Sequence, residues 1–163
     1  METKMEFTFT EENNQRIEKE ISKYPFKQAA IMATLYIAQE QNGWISNEVM
    51  EAVAKKLGIN VEDVLGVVSF YTMYHKKPVG KYHLQVCTNV SCMLRGAYPI
   101  YDKIRAKLGI NHNEVTSDSH FSLEEVECMG SCGTAPMMAV NEDFYENLSL
   151  EQIDTLIDSF KNK

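Results

Sequence analysis

Only four of the 163 residues are cysteine, and none of them precedes Gly80. No two stand as C-x-x-C, so the motif of a thiol–disulfide oxidoreductase is missing. No G-x-G-x-x-G opens a helix, and nothing marks a nicotinamide or flavin site on this chain. Basic residues are few: 16 Lys and Arg against 23 Asp and Glu give a net charge of −7. Lys55-Lys56, Lys76-Lys77, Lys161 and Lys163 are dispersed and form no stripe that could neutralise phosphates, which excludes nucleic acid as a partner. No apolar run approaches the ~20 residues that a membrane span needs. The opening METKMEFTFTEENN lacks the apolar stretch of a secretory signal. These absences predict a cytoplasmic protein that reaches the inner face of the membrane only through partners. In a reducing compartment its thiols are left free for metal.

The four cysteines fall in two close pairs, Cys87 and Cys92 in VCTNVSC, and Cys128 and Cys132 in ECMGSCGTAP. With no fifth cysteine they form either one shared site or two unrelated pairs, and one site is the reading adopted. Soft thiolates suit zinc or an iron–sulfur cluster. The gaps, C-x4-C and C-x3-C, are wider than the C-x2-C knuckle that folds around one zinc ion. A two-iron cluster can use that width by taking one pair on each iron. Gly130, Ser131, Gly133 and Thr134 are small, so backbone N–H groups can approach the sulfurs. Ordinary buried thiols near turns are the plain alternative.

VCTNVSCMLRGA, then ECMGSCGTAPMMAVNEDFYENLS, with GVVSFYTMYHKKPVGKYHLQVC upstream, resembles the NuoE family, the E subunits of NADH-quinone oxidoreductases. The likeness covers nearly all of the chain beyond its first dozen residues. It implies that Cys87, Cys92, Cys128 and Cys132 ligate one [2Fe–2S] cluster. It also implies an α+β chain in which an N-terminal helical bundle precedes a thioredoxin-like [2Fe–2S] ferredoxin domain. The expected division is 1–78, serving to dock a partner, and 79–163, holding the cluster. The implied function is electron transfer within an NADH-quinone oxidoreductase. FMN and NADH would then sit on a NuoF-like partner subunit. Related subunits of NAD-linked hydrogenases and formate dehydrogenases share the motif. A zinc-stapled interaction module is the competitor from a different class.

Periodicity organises the rest. Helices are predicted over about 11–22, capped by Thr10, and over 26–41, where Ile31, Met32, Leu35, Tyr36 and Ala38 form the stripe. A third runs from the Ser46 cap to Leu57, with Gly58 beyond it. The fourth follows Asn60; its Val64, Leu65, Val67, Val68 and Phe70 are apolar almost all round, which predicts the most buried helix of the four. Tyr71, Met73 and Tyr74 read as packing. A strand over 82–86 then turns Tyr82, Leu84 and Val86 one way. A helix over 94–108 holds Pro99 at a kink or in its first turn, and a strand over 121–127 delivers Cys128. A hairpin around Asn141, Glu142 and Asp143 and a helix from the Ser149 capping box complete the chain.

His83 lies four strand positions before Cys87, about 13 Å of rise, so the two cannot share an iron; this weighs against a Rieske-type centre, which needs two histidine ligands alongside two cysteines. His75, His112 and His120 likewise read as ordinary polar residues. No catalytic set for bond chemistry is visible. Glu124, Glu125 and Glu127 precede Cys128; facing a cluster they would lower its potential, and otherwise they are a solvated strand edge.

Overall fold

The computed structural model describes residues 6–161. The chain divides into two compact units that meet between Pro78 and Val79.

The first unit is helical. Thr10 accepts from the Asn13 N–H at 3.2 Å and starts α1, Glu11–Ile21. The predicted second helix begins later than expected: Lys27–Ala30 is a 3-10 turn, and α2 is Ile31–Asn42. Pro25 and the extended Phe26 leave no room for an earlier α-turn. Tyr36 is exposed rather than part of the buried stripe, although its ring packs edge-on against Tyr74. Ser46 caps α3, Asn47–Leu57, by accepting from Val49 N–H at 3.3 Å. The fourth helix, α4, is Val61–Phe70.

α4 overturns an expectation. Only Val64 and Val68 are buried there, against five residues of α3, while Leu65 is 47% and Phe70 79% exposed. An all-round apolar composition erases the periodicity that would have shown which edge packs; only the i, i+4 pair is fully buried, with Val61 and Val67 partly buried against the same core. Asn60 stands at the N-cap position but makes no side-chain capping bond. Tyr74 does pack: it is buried among Leu35, Val53 and Val68, and its hydroxyl donates to Met32 C=O at 3.0 Å.

The second unit runs β1 Tyr82–Cys87, α5 Val90–Leu94, α6 Ala97–Leu108, β2 Glu114–Val115 and β3 Phe121–Val126. A 3-10 turn Cys132–Thr134, β4 Met138–Val140, β5 Asp143–Tyr145 and α7 Leu150–Lys161 follow. The sheet order is β2-β3-β1-β4-β5, with β1 and β3 parallel and the other neighbours antiparallel. Leu84, Val86, Phe121 and Leu123 share one side, where they pack with Ile100 and Ile104 of α6 and Ile153 and Ile157 of α7. Strand alternation sends His83 and Ser122 to the other.

The helix predicted over 94–108 is α6, which starts only at Ala97, and the short α5 before it was not anticipated. Gly96, at φ +97°, separates α5 from α6, and Pro99 falls in the first turn of α6, where its missing N–H costs nothing. The hairpin turns at Asn141, whose φ is +55°. Half of the capping box forms, with Ser149 N–H donating to Gln152 at 2.8 Å. The two-residue β2 was not anticipated, because Glu114 and Val115 are too short for a period to register.

Candidate metal centre

Parallel pairing decides where the cysteines go. In register, Cys87 stands opposite Val126, so β1 and β3 end side by side and each runs directly into a cysteine loop. After Cys87, Thr88 N–H still donates to Val126 C=O at 3.1 Å, which carries the ladder one residue into the loop. Asn89 then caps α5 through its own side chain, accepting from Val90 N–H at 2.7 Å. That short helix sets Cys92 beside Cys87, and both are buried. From β3 the chain passes Cys128 and turns at Gly130, whose φ of +90° only glycine adopts freely. It brings Cys132 back so that the Cys128 and Cys132 sulfurs lie 3.4 Å apart. These two are exposed.

The pairs face each other. The Cys92 thiol hydrogen-bonds that of Cys87, and Cys132 lies within electrostatic range of both. Burial, first, and the neighbouring Cys87 push the Cys92 thiol up to about 11, while Met137 N–H donates to its sulfur and works the other way. Cys132 is also raised, mainly by its bond with Cys128, and a bond from Ser91 in the first loop opposes that. The four sulfurs that the sequence predicted therefore come together at one end of the sheet.

The donor set fits an iron–sulfur centre, as four thiols from two loops arranged two and two. Among the described residues no three His, Cys, Asp or Glu side chains form a group that could hold a metal ion. Behind Cys87 and Cys92 lies an apolar floor of Ala97, Ala135 and Met137, with Met129 packed against it. Gly130 N–H donates to the Cys128 sulfur at 3.4 Å, the kind of contact expected of the glycine-rich loop.

The other residues singled out from sequence sort as follows. His83 is buried against Ser122, with Nδ1 at 2.8 Å from its hydroxyl and Nε2 at 3.0 Å from Glu124. Glu124 also accepts from Gln85 at 3.1 Å, so it belongs to the His83 side of the sheet. Glu125 and Glu127 instead reach the first cysteine loop, accepting from Thr88 and Asn89, each at 2.7 Å. Sequence reasoning missed Thr88, Asn89, Ser91 and Met137. An Asn between a strand and a short helix is a capping signal that could have flagged Asn89. A main-chain donor such as Met137 leaves no mark in a sequence.

Comparison with known proteins agrees with this geometry. Residues 17–161 match the family described as thioredoxin-like [2Fe-2S] ferredoxin. The E subunit of the NADH-quinone oxidoreductase of Rickettsia bellii is 43% identical over 166 residues, covering 99% of each chain. The E 2 subunit of the NADH-quinone oxidoreductase of Rhizobium meliloti is 41% identical over 90% of this chain and 88% of its own. Mitochondrial NADH dehydrogenase [ubiquinone] flavoprotein 2 of Dictyostelium discoideum is 45% identical over 96% of this chain, which spans 64% of that longer protein. An NAD+-reducing [NiFe]-hydrogenase in the air-oxidized state superposes with a TM-score of 0.70 at 17% identity, over 82% of this chain and 23% of that one, and shows the fold alone. The α+β expectation holds. The chain thus belongs to the thioredoxin-like [2Fe-2S] ferredoxin family, among the relatives of the E subunits of NADH-quinone oxidoreductases.

Proposed function

We propose that this chain is the electron-transfer subunit of an NADH-quinone oxidoreductase, holding one [2Fe–2S] cluster on Cys87, Cys92, Cys128 and Cys132. The observation that carries the reading is the meeting of two thiol pairs from two loops at one end of the sheet. When bound, the cluster supplies one-electron chemistry with no protein bond made or broken. Everything else is supplied by the chain's own residues. In the metal-free protein the raised Cys92 and Cys132 thiols hold their protons, and those protons leave when the sulfurs ligate. Ala97, Ala135 and Met137 exclude water behind one pair. The exposed pair, Cys128 and Cys132, forms the edge through which electrons pass to and from a partner.

That partner is a NuoF-like subunit carrying FMN and binding NADH, neither of which has a recognisable motif here. The names of the relatives support an oxidoreductase assembly, and the first unit, 1–78, serves as the docking part. Among the described residues no helix is long and apolar enough to cross a membrane. Attachment to the inner face of the cytoplasmic membrane then runs through the complex. Affinity purification from the native host tests this directly. A co-eluting flavoprotein whose FMN is reduced by NADH supports it, and a tagged chain that elutes without a flavoprotein at any ionic strength refutes it.

A further inference from the structure

Four thiols on two loops hold a two-iron cluster only if something fixes the distance between the loops, and the parallel β1–β3 ladder reaches only from Thr88 N–H to Val126 C=O, two residues before Cys128. Two side-chain bonds add to the connection, one at that last rung and one beyond it. Thr88 Oγ1 donates to Glu125 Oε1 at 2.7 Å, and Asn89 Nδ2 donates to Glu127 Oε2 at 2.7 Å. The Asn89 amide is used at both ends, because its Oδ1 accepts from Val90 N–H at 2.7 Å and opens the helix that carries Cys92. A continuous chain of contacts therefore runs from Glu127, next to Cys128, through Asn89, to the helix bearing Cys92.

We propose that Glu125 and Glu127 are positioning residues that tie the first cysteine loop to the strand feeding the second, through Thr88 and Asn89, and so set the separation of the two thiol pairs. This rests on the cluster-binding reading above. Two carboxylates are a costly choice beside a site that gathers thiolates, since like charges repel. As acceptors, however, they make stronger bonds than neutral oxygens, and each reaches the first cysteine loop, Glu125 from the end of β3 and Glu127 from the start of the second loop. Their negative charge acts in the same place, opposing the arrival of an electron. One pair of residues thus has two separable effects: a mechanical one through the bond, and an electrostatic one through the charge.

The separation is testable because glutamine keeps the accepting oxygen and removes the charge. The full-length chain and its Glu127→Gln, Glu127→Ala and Thr88→Val variants are loaded anaerobically with iron and sulfide. Bleaching of the visible absorption in excess chelator and the midpoint potential are then recorded. Glu127→Ala is expected to bleach about fivefold faster, the factor that one hydrogen bond of ordinary net strength supplies. Glu127→Gln should bleach at a rate between those of the parent and Glu127→Ala, and titrate at a higher potential than the parent. Thr88→Val, nearly isosteric, should also bleach faster and guards against misfolding of any one variant. Parent-like bleaching of both Glu127→Ala and Thr88→Val overturns the inference alone. So does bleaching of Glu127→Gln as fast as Glu127→Ala. A parent chain that takes up no cluster overturns the function proposed above as well.

Discussion

Replacing Gly80 by alanine probes how the cluster unit is anchored at the start of β1. An ideal Cβ at this position would lie 2.4 Å from the Phe121 carbonyl carbon, 2.7 Å from Ser122 N and 2.8 Å from Phe121 Cα. All three atoms are β3 backbone, so no side chain can swing away to relieve the clash. Gly80 N–H donates to Ser122 Oγ at 2.9 Å, and that hydroxyl meets His83 Nδ1 at 2.8 Å, so a shift of the chain also disturbs a buried polar pair. Overpacking costs about 1–3 kcal/mol, and a weakened buried hydrogen bond adds about 1 kcal/mol. Together these predict a loss of about 3 kcal/mol. For a unit of this size each kcal/mol lowers Tm by about 4–8 °C, so the melt should fall by about 12–24 °C. Gly66→Ala is the control: it lies inside α4, exposed, with nothing within 4 Å of its Cβ site. There alanine should stabilise by about 0.5–1 kcal/mol. Urea unfolding of the metal-free chain measures both. A Gly80→Ala variant within about 0.5 kcal/mol of the parent would refute the close approach as the source of the cost.

Tyr74→Phe removes the hydroxyl that donates to Met32 C=O, and should cost about 1 kcal/mol in chemical denaturation. Burial, the largest cause, raises that hydroxyl's pKa to about 12, so the bond should survive through ordinary alkaline conditions. Leu65→Gln should leave stability within about 0.5 kcal/mol, while Val64→Ala one position away should cost about 2 kcal/mol; equal costs would contradict the exposure of that α4 edge. Asp154 bonds Lys103, chiefly, and Lys107, which lowers its pKa below the usual 3.8. A lowered carboxylate contributes stability above its unfolded pKa and loses it as pH falls through the folded one. Asp154→Asn should therefore lower Tm slightly above about pH 4 and leave the acid end nearly unchanged, so that Tm falls less steeply as pH drops.

Much of this was legible in the sequence because strong local signals agreed with the final packing. Thr10 and Ser46 cap where their positions predicted, and Ile100, Ile104 and Ile153, Ile157 pack at helical spacing in one core. The cysteine quartet was legible because spacing and composition pointed the same way. What failed did so for identifiable reasons. α4 has no polar edge, so nothing in its composition could separate the packed side from the exposed one. The break at Gly96 is a backbone event inside an otherwise helical pattern, and a lone glycine there does not announce a left-handed residue. Glu124, Glu125 and Glu127 read as one acidic run, yet alternation along β3 and its end divides them between His83 and the first cysteine loop. Partners thirty or more positions away carry no local signature.

Elemental analysis together with electron paramagnetic resonance of the anaerobically purified chain gives the sharpest test. A cluster on the four cysteines predicts iron and acid-labile sulfide in equal amounts, two of each per chain as the [2Fe–2S] formula requires, and a spin-one-half signal that appears on one-electron reduction. A colourless protein holding one zinc ion per chain and no sulfide would contradict it.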